Sequence, residues 1–240
     1  MRLHRAVSAI LGLLALGAAA TRADDVADFN AAVEAASAHL RTAQGYVRTG
    51  NVDLATLALE RADAAWRDHV GRSAAKPPGP LASNPLFGTT LTTVATHLVA
   101  ARMFLASGRP EATADALQAI RRDLAALRRA AGITVLADCV LDANAAIDRL
   151  LAAGDGAPAG SPARAEVAGF AAAVGETLRR CDALASPAQQ ADPEFRRLID
   201  GALRSLAQVP AAVAAEDTGL LGRLIDELRA FDRLLAFRYG

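Results

Sequence analysis

The apolar residues of this chain recur at alternating spacings of three and four over almost its whole length. Leu117, Ile120, Leu124 and Leu127 show the pattern within one segment. Such spacing keeps side chains on one face of an α-helix, whereas a half-buried strand alternates apolar and polar residues. No sustained alternation of period two occurs in the sequence. The pattern therefore predicts an all-α fold built from amphipathic helices.

Helix-breaking residues divide this pattern into about eight helices. The breakers form short turns at 49–51, 108–110 and 216–218, and longer loops at 73–88, 154–161 and 186–193. Asn51 and Asp217 are suited to cap the helix that follows, and Pro110 is suited to the first turn of its helix. Pro210 interrupts the seventh predicted helix, where we expect a kink. The predicted helices are 25–48, 52–71, 89–107, 110–131, 134–153, 162–185, 193–215 and 218–238.

An internal repeat indicates how these helices pair. At an offset of 58, His39 and Gly50 fall on His97 and Gly108, and at a further offset of 108 other apolar positions match, such as Phe87 with Phe195. The repeated unit is a helical hairpin, and hairpins pair into bundles. We therefore expect two tandem four-helix bundles of antiparallel helices, 24–132 and 133–240. The alternative is a superhelical array of hairpins, because the G-N-V-D-L-A turn also resembles tetratricopeptide repeats, whose period is about 34 residues.

The first 23 residues have the layout of a secretory signal peptide. Two arginines precede an apolar run from Ala6 to Ala20, and small residues follow as far as Ala23. We expect cleavage after Ala23, with Ala20 as the alternative site. The alternative interpretation is an uncleaved anchor, but the run is shorter than the roughly 18 to 20 residues that span a bilayer. The sequence therefore predicts an exported protein with no membrane span after cleavage.

The charge balance narrows the classes of partner. Removing the predicted signal leaves 23 basic and 26 acidic side chains, a net charge of about −3, spread along the chain. That distribution does not favour binding to nucleic acid or to anionic lipid. Lys76 is the only lysine and alanine is abundant, which is typical of a GC-rich bacterial gene. Together with the signal, this composition indicates a periplasmic location.

Cys139 and Cys181 are the only cysteines. In an oxidising compartment an even pair is more often bridged than free. The two residues lie near the start of one predicted helix and the end of the next, where an antiparallel hairpin brings its ends together. The predicted bounds leave an axial mismatch of about 7.5 Å, so a bridge requires a shift of the helix ends or an asymmetric loop. We predict the disulfide, with two buried thiols as the alternative.

Three histidines lie after the predicted signal: His39, His69 and His97. His39 and His97 are repeat equivalents on the first and third predicted helices, which run parallel on a diagonal of a four-helix bundle. They are therefore candidates to share a haem or a metal ion, with Met103 as a further haem ligand. The alternative is that both are partly exposed, hydrogen-bonded side chains.

Known catalytic and metal-binding motifs are missing from the sequence. A carboxylate di-metal site needs Glu three residues before each histidine, but Ala36, Trp66 and Val94 occupy those positions. There is also no C-x-x-C-H, G-x-S-x-G, H-E-x-x-H or P-loop motif. These absences argue against the enzyme and covalent-haem classes that such motifs mark.

The last 45 or so residues carry a family resemblance. They run from D-P-E-F-R-R-L-I-D-G-A-L to F-D-R-L-L-A-F-R-Y-G and resemble the second hairpin of the cytochrome c-prime and periplasmic b-type cytochrome bundles. The resemblance implies an exported up-down-up-down bundle. The family's haem ligand in the last helical turn falls near Ala236 or Phe237, which cannot ligate iron, and the axial methionine early in the first helix is missing. The resemblance therefore implies a haemless relative.

The sequence thus predicts a non-enzymatic, exported helical-bundle protein without a cofactor. It is expected to act by binding or as the partner of a periplasmic or membrane-bound protein, such as a respiratory assembly. The alternative is a b-type haem or metal-binding electron-transfer protein that uses His39 or His97, with Met103 as a further ligand. An enzyme of unfamiliar type is third, and a cavity with converging polar groups would favour it.

Overall fold

The computed structural model describes the backbone of residues 4–155 and 162–240, and their side chains from Asp25 onward except for a few positions that include His69. Within these ranges all regular structure is helical, which confirms the all-α prediction. The helices are α1 (His4–Arg48), α2 (Val52–Ala65), α3 (Leu86–Ala106), α4 (Pro110–Ala130), α5 (Leu136–Asp155), α6 (Pro162–Leu184), α7 (Pro187–Ala191), α8 (Pro193–Ala214) and α9 (Thr218–Tyr239).

The predicted signal peptide, residues 1–23, falls mostly outside what the structure describes. Residues 1–3 are not described, and the remainder contributes only its backbone, as the beginning of α1. In the part of the chain that the structure does describe, no helix is both long enough and apolar enough to cross a membrane.

Several local features differ from the predicted helix bounds, and α1 extends from His4 instead of beginning at residue 25. The second predicted helix changes pitch, because α2 ends at Ala65 and continues as a π-helical turn, Trp66–Val70, and a 3₁₀ turn, Gly71–Ala74. α3 begins three residues earlier than predicted, since Asn84 accepts a hydrogen bond from the Leu86 N–H at 3.0 Å and starts the helix there. The short helix α7 lies in a segment predicted as a loop.

α7 shows how a local signal can start a helix inside a loop. The Ser186 hydroxyl accepts a hydrogen bond from the Gln189 N–H at 3.3 Å, and the Gln189 side chain accepts one from the Ser186 N–H at 2.9 Å. Pro187 stands in the first turn, where its missing N–H costs nothing. This reciprocal capping box satisfies two backbone N–H groups at the start of α7.

The chain forms two compact units, Met1–Ile133 and Thr134–Gly240, called unit 1 and unit 2 below. In unit 1, α1 packs on α2 and α3 packs on α4, and the two hairpins meet through α2 with α3 and α1 with α4. The contact of α1 with α4 closes the four helices into a ring, with α1 and α3 on one diagonal. An open array of hairpins would not bring its first and fourth helices together.

The core of unit 1 is formed mostly by the apolar faces that the sequence period marks, and the predicted loop at 73–88 also contributes to it. Its largest fully buried side chains are Leu59, Leu81, Leu98, Leu117, Ile120 and Leu127. The rings of Phe29 and Phe87 lie 5.6 Å apart and join the start of α3 to α1. The ring of four helices is therefore filled by side chains along most of its length.

Unit 2 has the same type of packing, with α5 on α6, α8 on α9, α6 against α8 and α5 against α9. Its largest fully buried side chains are Ile147, Leu150, Leu178, Phe195, Leu198 and Ile199. Gly201 allows the Phe231 ring to lie close to α8, because a Cβ atom there would be 2.5 Å from Cζ of Phe231. α8 continues through Pro210 as far as Ala214.

Candidate binding pocket

The α1–α2 and α3–α4 turns of unit 1 have the same local structure. Each contains a glycine in the left-handed region, Gly50 with φ 74° and Gly108 with φ 69°. The residue after each glycine donates its N–H to the carbonyl five residues earlier, at 2.9 Å in both turns. This is the Schellman arrangement, which satisfies carbonyl groups at the end of a helix. The C-terminal ends of α1 and α3 are therefore well capped.

The helices that follow the two turns begin differently. Asn51 caps α2, because its side-chain Oδ1 accepts the Leu54 N–H at 3.1 Å. Arg109 occupies the equivalent position before α4 and makes no side-chain capping bond, with Pro110 in the first turn. The Arg109 guanidinium lies over the ring of Phe104, 4.8 Å from its centroid. This cation–π contact holds the Arg109 side chain against the turn.

An open pocket of about 660 Å³ lies between these two turns, and we call it the turn pocket. Its lining is mostly apolar and includes Val47, Val52, Leu105, Pro110 and Ala114. A volume of this size falls within the range of about 300 to 1,000 Å³ found for small-molecule sites. The turn pocket is therefore large enough for a small organic ligand.

The apolar walls of the turn pocket come from matching positions of the sequence repeat. Val47 and Leu105 are separated by the offset of 58, as are Val52 and Pro110. Val47 and Leu105 are buried, at 7% and 4% exposure, while Val52 is 49% exposed. The first pair thus forms an apolar floor, and Val52 extends that surface to the rim.

The polar groups of the turn pocket are two cations, one carboxylate and one amide: Arg48, Arg109, Glu111 and Gln44. Arg48 and Arg109 are exposed, and within the described ranges neither has a carboxylate partner. In contrast, Arg102 on the nearby surface of α3 pairs with an aspartate of α2 at 3.3 Å. Unpaired guanidinium groups donate in a geometry that suits carboxylate and phosphate oxygens. The pocket thus combines an apolar floor with a cationic rim.

His97 lies outside the turn pocket and faces α4. Its Nε2 atom is 3.3 Å from Oδ2 of Asp123, and both side chains are about one-third exposed. Oδ2 of Asp123 accepts no aligned hydrogen bond, so the pair is a charge contact when the imidazole is protonated. Val94 and Leu98 of the same helix occupy the core side. The His97 imidazole is therefore at the surface between α3 and α4.

The structure does not collect the predicted haem ligands on one face. Met103 is 65% exposed and lies six residues after His97 on α3, so the two side chains point about 120° apart around the helix axis. His39 is half-buried on α1, the helix diagonally opposite α3. The side chain of His69 lies outside the described residues. Among the residues that the structure describes, no group of three or more His, Cys, Asp or Glu side chains is placed to hold a metal ion.

Cys139 and Cys181 form a disulfide in unit 2, with their Cα atoms 5.3 Å apart. α5 continues two residues beyond the predicted end, to Asp155 rather than Ala153. This extension reduces the axial mismatch between the cysteines to three residues, about 4.5 Å along the helix axis. The bridge joins α5 to α6 within the core of unit 2.

The turn pocket is a site that sequence reasoning missed. The sequence predicts the turns at 49–51 and 108–110 only as connections between helices, with residue 52 as the start of a helix. The available signal was the matching of apolar residues on both sides of the two turn glycines. That signal becomes informative only once both hairpins are known to place these turns together.

Comparison with known proteins adds no further constraint. No family model, curated protein or solved structure is detectably similar to this chain. The resemblance of the last hairpin to periplasmic cytochromes stays a prediction.

Proposed function

We propose that this chain is an exported, non-enzymatic helical-bundle protein that acts by binding a ligand in the turn pocket. The observation that carries the proposal is an open volume of about 660 Å³ with an apolar floor and a polar rim. Sites for small organic molecules combine these two properties. Export is supported by the signal-like layout of the first 23 residues.

Binding is favoured over catalysis by the chemistry of the pocket lining. Among the described residues that line it, the ionisable groups are Arg48, Arg109 and Glu111. Nucleophilic catalysis requires a nucleophile within hydrogen-bond reach of a base, and this set supplies no such pair. A guanidinium group is charged at all physiological pH values and acts by holding anions or hydrogen-bond acceptors.

The partner role in a periplasmic assembly is part of the same proposal. The pocket is formed by two surface turns, so a bound ligand would alter the surface that these turns present. A periplasmic or membrane-bound protein that contacts the turns would then distinguish the loaded from the empty form. This coupling requires a difference in partner affinity between the two forms.

The proposal can be tested with Nile red, a neutral dye that fluoresces in apolar sites. We expect the full chain to enhance its fluorescence and Ala114→Leu to reduce binding, because the larger side chain fills the pocket. Ala112→Leu is the matched control, since Ala112 lies on the same helix, is also half-buried and does not line the pocket. A wild-type chain that leaves the dye dark, or equal losses in both variants, would refute the proposal.

A further inference from the structure

We infer that the turn pocket selects a single-chain amphiphile with an anionic head, of the fatty-acid type. The head would lie between Arg48 and Arg109, and the aliphatic chain would lie on Val47 and Leu105. The inference rests on the proposed function, because it concerns the same pocket and specifies the chemical class of its ligand.

The charges of the pocket favour an anionic head. The lining contains two guanidinium groups and one carboxylate, that of Glu111. Arg48 is the last residue of α1 and Arg109 precedes α4, so each of the two turns contributes one cation. At each turn the Schellman hydrogen bonds engage two carbonyl groups. The guanidinium groups are donors only, so an anion can accept hydrogen bonds from them.

The guanidinium of Arg109 is also held in place before any ligand arrives. It lies 4.8 Å from the centroid of the Phe104 ring, which limits the conformations of the side chain. A side chain that is ordered in advance loses less entropy when it binds a ligand. Arg109 is thus better prepared than a freely moving surface arginine to contact a carboxylate.

The floor of the pocket favours an aliphatic chain. Val47 and Leu105 present branched apolar side chains, and Val52 adds an exposed apolar surface at the rim. Covering this surface removes apolar area from water, which stabilises the complex in proportion to that area. The volume of about 660 Å³ suits one ligand of drug-like size, whereas a lipid with two acyl chains is considerably larger.

Three probes with the same aliphatic chain separate the contribution of the head from that of the tail. Dodecanoate and dodecyltrimethylammonium, each below its micelle concentration, and dodecanol, below its solubility limit, are titrated by displacement of Nile red from the full chain. We expect dodecanoate to bind about tenfold more tightly than dodecanol at low salt, and the cationic probe to bind most weakly. Raising the salt from about 50 mM to about 500 mM should weaken dodecanoate binding and leave dodecanol unchanged, because exposed charges are screened.

Charge variants identify the residues responsible. Arg48→Gln and Arg109→Gln should each weaken dodecanoate binding about fivefold without changing dodecanol binding, a size typical of an exposed ionic contact. Glu111→Gln should have the opposite effect and tighten dodecanoate binding, because it removes the one carboxylate of the lining. Arg61→Gln is the control, since Arg61 is exposed on α2 and does not line the pocket.

Different outcomes would overturn the preference for an anionic head and the proposed function. Equal affinities for dodecanoate and dodecanol, with no salt dependence, would overturn the preference for an anionic head while pocket binding stood. Failure of the wild-type chain to bind Nile red would instead overturn the proposed function. Far-UV circular dichroism checks that the variants fold. If a variant does not fold, the salt titration of the wild-type chain decides the inference.

Discussion

Replacing both cysteines of unit 2, by Cys139→Ala together with Cys181→Ala, is expected to lower its stability by about 4 kcal/mol. The disulfide links residues 42 apart in sequence. In the chain-entropy model, a cross-link over that span removes about 13 cal/mol/K from the unfolded ensemble, or about 4 kcal/mol at 25 °C. Both cysteines are buried, so loss of the two sulfur atoms adds a small cavity term in the same direction.

Trp66 allows this change to be followed separately in the two units. It is the only tryptophan of the chain and is buried in unit 1, so its fluorescence reports that unit. Far-UV circular dichroism reports the helices of both units. If the free energy of unfolding falls by about 1.5 kcal/mol per M of urea, loss of the bridge should lower the urea midpoint of unit 2 by about 2.5 M. We expect the dichroism transition to gain an early phase while the Trp66 midpoint stays unchanged.

The matched control is the wild-type chain, reduced while unfolded and then refolded under reducing conditions. It should reproduce the early phase, because it loses the same cross-link and keeps both sulfur atoms. A destabilisation of less than about 1 kcal/mol in both samples would refute the loop-entropy reasoning. An equal shift of the Trp66 midpoint would show instead that the two units unfold together.

Three further predictions concern other parts of the chain. The Tyr239 hydroxyl donates to Asp192 at 2.8 Å, and burial together with this hydrogen bond raises the pKa of Tyr239 to about 12. The contribution of this hydrogen bond to stability is therefore present below pH 10 and lost as the pH rises through 12. Tyr239→Phe should lower the free energy of unfolding by about 1 kcal/mol at neutral pH and should remove this alkaline loss. Urea titrations at several pH values would measure both effects. Gly108→Ala should destabilise by about 1 kcal/mol because φ is 69°, whereas Gly88→Ala, in α3 with open space around the added methyl, should be neutral or stabilising in thermal unfolding. Haem added to the purified chain should produce no Soret band of ligated iron, and His97→Ala should leave the spectrum unchanged; a ligated spectrum that depends on His97 would favour the electron-transfer alternative.

The helices were predictable because their apolar period is strong, but changes of pitch were not. The period continues from α2 through Trp66 and Val70, both of which remain buried. The sequence pattern is therefore the same whether this stretch is α-helical or, as in the structure, π-helical. At 186–193 the loop prediction gave weight to prolines and overlooked the capping box of Ser186 and Gln189, which was a readable local signal.

The candidate site was less predictable because it depends on packing. Histidines attract attention in a sequence, yet His97 faces Asp123 across the α3–α4 surface. The turn pocket depends on which faces of two hairpins come together, and Val47 and Leu105 look like ordinary core residues until the space above them is known. Spacing along one helix carries information about a face, whereas a pocket is a property of several faces at once.

The helices that follow the two turns are capped differently, and this difference affects the turn pocket. Asn51 and Arg109 occupy the same position of the repeat, but only Asn51 bonds its own helix. Because Pro110 preorganises the first turn of α4, Arg109 need not cap the helix, and its side chain is available to contact a ligand. Arg109→Asn should therefore stabilise α4 by about 1 kcal/mol and weaken dodecanoate binding. The two matching turns thus assign helix capping to Asn51 and contact with the proposed ligand to Arg109, two tasks that one side chain would otherwise have to combine.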